Sequence, residues 1–303
     1  MKRFIQGVAL ALLVATPATA QAKLDVVATL PDLAAIAKAV GGDDVRVTAL
    51  AAPSEDPHFV DARPSLMLPL SRADLLVVDG LGLEIGWLPT LLVGARNKKI
   101  QVGAAGYLDA SSSVRKLEVP TTKIDRSMGD LHPGGNPHFT YDPRAGAAIA
   151  KAIGARMAQL DPDHADAYVK RAGAYAATLE AFAASERARF DKLPAAKRNF
   201  VAYHESLNYL ADWLGLTQIG TVESKPGVSP DPAHAAEILR TMKAKGAKVI
   251  IQEEFYPRHM SQTLTKMLDG KVAVIHGGTR FDDGQSYLEH LKNVADTVYD
   301  ALE

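Results

Sequence analysis

From Leu24 onward, short β-branched runs alternate with alanine-rich amphipathic ones: LDVVATL, then PDLAAIAKAVGG, then DDVRVTALA. Strand, helix and strand in that order are the signature of a parallel sheet with helical crossovers. RPSLMLPLSRADLLVVDG extends the pattern with a helix leading to a buried strand at Asp74–Val78. LGLEIGWLPTLLVGAR then predicts another helix, and KKIQVGAA another short strand. The segment DPRAGAAIAKAIGARMAQLDP is helical in period, with Asp142 placed to cap it and Pro143 at its first position. DHADAYVKRAGAYAATLEAFAASERARFDKLP follows without an internal proline. A helix of about 30 residues would be about 45 Å long, enough to cross one domain or join two. A second set of alternating elements comes after it: NFVAY, HESLNYLADWLGL, TQIGTVES, AHAAEILRTMKAKGA, KVIIQEE, YPRHMSQTLTKMLDG, KVAVIHGG and a closing helix over Gln285–Leu302. The expected fold is therefore α/β: two three-layer αβα lobes with parallel sheets, at 23–163 and 194–303, joined by a long rigid helix at 164–193.

The first 22 residues break this pattern. Lys2 and Arg3 precede an apolar run over Val8–Ala15, then Pro17 and small residues ending in Ala20 and Ala22. That layout predicts a signal peptide, 1–22, cleaved after Ala22. The apolar run is well short of the about 20 residues a membrane span requires, and without a cysteine no lipid attachment is expected. The mature protein is expected to be soluble, exported and monomeric.

Of the 303 residues, 47% are hydrophobic and 23% charged, enough apolar material for more than one core. A net charge of −1 with both signs interspersed gives no polyanion-binding face, so nucleic acid is not an expected partner. The absence of cysteine removes thiolate metal sites and cysteine nucleophiles, leaving His, Asp and Glu as strong ligands.

Candidate chemistry is concentrated in two Pro-His-Phe tripeptides 80 residues apart, at His58 and His138. The second lies in GDLHPGGNPHFTYDP, whose prolines and glycines exclude helix and central strand. A loop stiffened by proline holds an imidazole at low entropic cost, and neutral imidazole is a common ligand for metals such as zinc. His58, His138, His204 and His276 each lie just beyond an expected strand or in a Pro/Gly-rich loop. A cleft between two lobes collects its side chains at such places. His132, six residues before His138, is a possible ligand, a support for one, or a transient capture site. Glu205, Asp282 and Asp283 could each supply a carboxylate. By contrast, His164, His234 and His290 are expected on solvated helix faces and His259 at the surface or as a cap.

EDPHFVDARPSL, GNPHFTYDP, VAYHESLNYLADWLGL, GVSPDP and GQSYLEHLKN, in that order, resemble the cluster A-I metal-binding receptors of ABC transporters, the group that contains ZnuA. The likeness spans essentially the whole chain after the leader. It implies two αβ lobes joined by a rigid helix with the metal between them. It also implies that His58, His138 and His204 match three histidine ligand positions. The fourth position, commonly an aspartate, falls on His276 in VAVIHGG, with Asp282 and Asp283 as alternatives. Manganese receptors of this group usually carry a glutamate where this chain has His204, and a third imidazole suits zinc better than manganese. The long histidine-rich loop of many ZnuA proteins is missing, and His132 alone stands near its place.

The function this implies is periplasmic binding of Zn2+ and its delivery to an inner-membrane ABC permease. The alternative within the family is a manganese or iron receptor; from a different class come a surface adhesin on the same fold and a secreted zinc hydrolase. A secreted zinc hydrolase would use Glu205 or Glu253 as base, but no HExxH motif is present.

Overall fold

A computed structural model describes residues 23–122, 129 and 131–303; the expected leader, 1–22, lies outside them. The first sheet is built from β1 (Leu24–Ala28), β2 (Val45–Ala49), β3 (Leu75–Val78) and β4 (Tyr107–Asp109), the second from β5 (Asn199–Ala202), β6 (Thr217–Thr221), β7 (Val249–Glu253) and β8 (Lys271–Ile275). All pairings are parallel. The strand orders are β2-β1-β3-β4 and β6-β5-β7-β8. The two lobes are therefore wound alike. In each, the chain leaves the first strand toward one edge and returns to the other side. The crevice where that direction reverses is where open α/β sheets bind ligands.

Around the first sheet lie α1 (Pro31–Gly41), α2 (Met67–Arg72), α3 (Leu88–Ala95) and α4 (Pro143–Leu160). The second carries α6 (Asn208–Leu214), α7 (Pro232–Lys245), α8 (His259–Lys266) and α9 (Tyr287–Leu302). Between them α5 (Ala165–Phe190) runs for 26 residues, about 39 Å at 1.5 Å per residue. Its buried stripe is shared between the lobes. Tyr168, Ala172, Ala176 and Leu179 pack into the core of the first sheet, while Ala183 and Phe190 pack into that of the second. One helix contributing to both cores ties the lobes together without any disulfide.

Two local expectations are corrected. KKIQVGAA is not a strand: Lys98–Ile100 form a 3-10 turn and the fourth strand begins at Tyr107. Gly106 sets that start, because a Cβ there would come within 2.2 Å of the Asp74 carbonyl oxygen. The helix expected from Leu81 is confined to Leu88–Ala95, with Pro89 in its first turn and Gly82 at φ 87° within the turns before it. Asp142 does cap α4, accepting a hydrogen bond from the Arg144 N–H with Pro143 at the first position. Among the described residues no helix is long and apolar enough to cross a membrane.

Candidate metal centre

His58 follows β2, His138 lies between β4 and α4, and His204 lies just after β5. These three converge between the lobes, with one ring nitrogen from each lying within 4.8 Å of the other two. Their ring centroids are 5.1 to 5.4 Å apart. The loop before His138 is fixed from both sides. Asn136 Oδ1 accepts the His138 N–H at 2.9 Å, and the Asn136 amide donates to the Glu205 carbonyl oxygen at 2.6 Å. Gly135, at φ 113°, permits this path, since a Cβ there would press on the Leu117 carbonyl oxygen at 2.9 Å. Tyr209 from α6 closes the arrangement by donating to the Asn136 carbonyl oxygen at 3.0 Å.

Behind two of the imidazoles stand carboxylates. His58 Nδ1 is 2.8 Å from Asp56 Oδ1, and His204 Nδ1 is 2.8 Å from Glu223 Oε2. Such pairing fixes the ring and its tautomer, turning the lone pair of Nε2 outward and raising its basicity. Burial works against ionisation of Asp56, yet the His58 contact outweighs it and holds the carboxyl below its ordinary range. Burial likewise disfavours the His204 cation, but the hydrogen bond and charge of Glu223 overcome it and raise the imidazole above its ordinary value. His138 is pushed well below its ordinary value, first by burial and then by the neighbouring histidines. It is thus held neutral, and its buried Nε2 has no hydrogen-bond partner among the described residues. A buried imidazole nitrogen without a partner is unfavourable unless something else fills the place. A borderline divalent cation with nitrogen ligands fits this donor set.

Asp56 and Glu223 were not singled out by sequence reasoning, which looked to Glu205, Asp282 and Asp283 for carboxylates. The signal for Asp56 was its place two residues before His58. Glu223 carried none, since it meets His204 only because β6 pairs with β5. Glu205 instead accepts from Asn208 and Gln218. Glu253, at the end of β7, is buried between the lobes with Tyr141 OH 3.4 Å away.

His276 does not join the cluster. It follows β8 as expected, but its Nδ1 lies 3.1 Å from Glu254 Oε2 and 3.2 Å from Arg280 Nη2, and its side chain is 41% exposed. These two neighbours hold the ring at the edge of the cleft. Asp282 and Asp283 are exposed on the 3-10 turn Phe281–Asp283 and also stand outside the three-histidine group. His132 is close: its Nε2 is 3.3 Å from His58 Nε2, while its Nδ1 lies 3.1 Å from the Leu81 carbonyl oxygen. His164 is half-buried beside Asp161, and His234 Nε2 is 2.9 Å from the Thr221 carbonyl oxygen. His290, expected on a solvated face, is 1% exposed, because that face of α9 packs against the first lobe near Asp32 and Tyr141.

A family model described as ZnuA, zinc-uptake complex component A, periplasmic, matches residues 26–301. The high-affinity zinc uptake system protein ZnuA of Bacillus subtilis strain 168 is 26% identical over 288 residues, 92% of this chain and 88% of that protein. The manganese ABC transporter substrate-binding lipoprotein scaA of Streptococcus gordonii is 24% identical over 293 residues, 94% of this chain and 90% of that protein. A crystal structure of ZnuA shares the fold with a TM-score of 0.77 and 25% identity, covering 93% of this chain and 100% of that one. The match extends from β1 to the last turn of α9, through both lobes and the helix between them, and the chain belongs to the ZnuA family of periplasmic metal-binding substrate receptors of ABC transporters, which are not enzymes.

Proposed function

We propose that the cargo of this receptor is Zn2+, held by His58, His138 and His204 and handed to an inner-membrane ABC permease. The observation that carries the reading is the nitrogen-only donor set. His138 Nε2 is buried without a partner among the described residues, and His58 and His204 are each turned by a carboxylate on Nδ1. Three imidazoles suit zinc, whereas manganese prefers oxygen donors. A divalent ion facing Asp56 and Glu223 through their histidines has its charge balanced by two carboxylates, so neutral ligands suffice. On this reading residues 1–22 act as an export leader, and the mature chain works as a periplasmic monomer whose metal-binding lobes, 23–163 and 194–303, are held by the 164–193 helix.

The test is the metal content of protein purified from the periplasm, followed by competition between zinc and manganese for the metal-free chain. Zinc is expected to be retained and to displace manganese. Preferential retention of manganese would reject the cargo assignment.

A further inference from the structure

We propose that His132 is the fourth ligand, closing the site as a tetrahedron of four imidazoles and making it selective for zinc over manganese. The inference rests on the three-histidine reading above and adds to it a second histidine from the loop that carries His138.

The argument begins with protons. A carbonyl oxygen only accepts, so His132 Nδ1, 3.1 Å from the Leu81 carbonyl oxygen, carries the ring proton of the neutral imidazole. His58 Nδ1 is bound in the same way to the Asp56 carboxylate. In both rings Nε2 is then a bare lone pair. Yet these two nitrogens face one another at 3.3 Å. Neither has a proton to give, so the contact is not a hydrogen bond between neutral rings. Two bare lone pairs this close are satisfied when a proton or a metal cation is shared between them, and a metal cation serves both at once. For Zn–N bonds of 2.0–2.1 Å, tetrahedral geometry puts ligand nitrogens about 3.3–3.4 Å apart. The His58–His132 separation already has that value.

Position supports the same conclusion. His132 lines one opening together with His58 and another together with His138 and His204, so it stands across the mouth of the cluster. It is outside the group whose nitrogens lie within 4.8 Å of one another. His132 therefore moves toward His138 and His204 when the fourth bond forms, as the last ligand to engage. His276, whose Nδ1 meets Glu254 and Arg280 at the edge of the cleft, makes no comparably close approach to a candidate ligand among the described residues.

The experiment uses the mature, metal-free chain titrated with Co2+ and Zn2+, comparing wild type with His132→Ala, His132→Leu, His276→Ala and His204→Ala. Wild type is expected to give the intense visible absorption of four-coordinate cobalt. Both His132 variants are expected to bind with affinity about tenfold lower, to show a weaker and shifted cobalt band as water enters, and to discriminate less against Mn2+. A merely structural role for His132 would not change the cobalt spectrum or the metal preference. Retention of the wild-type band and affinity by both His132 variants overturns the proposal, as does loss of the band in His276→Ala alone. His204→Ala tests the underlying site separately: wild-type binding there would reject the three-histidine reading, whatever His132 does.

Discussion

The interface between the lobes gathers histidines in two places, and they are built in opposite ways. On one side His58 and His204 have Nδ1 on a carboxylate and His132 has it on a carbonyl oxygen, so their Nε2 atoms face inward as lone pairs. On the other side, His276 has a guanidinium and a carboxylate crowding the same nitrogen, and His290 is buried with neither nitrogen hydrogen-bonded among the described residues. Asp32 lies 3.9 Å from His290 but is already taken by the Thr279 N–H. His276, like His58 and His204, lies beyond a strand end, whereas His290 comes from α9. A carboxylate on Nδ1 is not itself the difference, since Glu254 gives one to His276; His276 is set apart because Arg280 shares that nitrogen and because its ring lies outside the three-histidine group.

The strongest way to break this comparison is to delete one ring from each side. His138→Ala and His204→Ala are expected to weaken zinc binding beyond the roughly 10–100-fold that loss of a partner behind a ligand produces. His276→Ala is expected to leave affinity within about twofold, given its pairing outside the cluster. Calorimetric titration checks this. Equal losses on both sides would erase the distinction.

The next effect sharpens it. Asp56→Asn and Glu223→Gln leave every candidate ligand in place but weaken its orientation, and zinc affinity is expected to fall about tenfold. Glu223→Gln also changes the pH dependence. Glu223 raises His204 against the opposing effect of burial, so His204 is the first of the three shifted rings, with His132 and His138, to take a proton as pH falls. Imidazolium cannot ligate, and affinity in the wild type should drop steeply between pH 7 and pH 5. With Glu223→Gln that drop should begin at lower pH. An unchanged onset would mean that Glu223 does not govern proton competition at the site.

This division explains how much was legible in the sequence. The two lobes were readable because alternating β-branched and alanine-rich segments encode a parallel sheet locally. The spanning helix was readable because no proline interrupts it. His58, His138 and His204 stood out because proline, or a strand end, fixes each of them. Where His132 and His276 stand relative to the three-histidine group was not readable, since both sit in glycine-bearing segments and their rings are placed by Leu81, Glu254 and Arg280 through tertiary contact. Glu223 meets His204 from 19 residues away across paired strands, a relation no local pattern carries. His290 was misjudged for a related reason: LEHLKN reads as an ordinary amphipathic turn until the first lobe covers it.

The smallest expected effect concerns that buried ring. Burial lowers His290 despite the opposing influence of Asp32. A histidine lowered on folding is neutral in the native state while the unfolded chain, near 6.5, binds the proton. Stability linked to it is therefore present above about pH 6.5 and is lost as pH falls below that value toward the native pKa. His132 and His138 act with the same sign, and His204, being raised, opposes them. His290→Leu removes one contributor without touching the candidate ligands. It also replaces a ring that has no hydrogen-bond partner among the described residues with an apolar side chain, a change expected to stabilise the metal-free protein by about 1 kcal/mol at neutral pH. Urea unfolding at pH 7.5 and pH 5.5 should show a higher midpoint for the variant and a smaller loss between the two pH values, with zinc affinity unaltered. A lower midpoint at pH 7.5 would mean that His290 makes an interaction its surroundings do not reveal, and a loss of zinc affinity would join the two sides of the interface that the comparison holds apart.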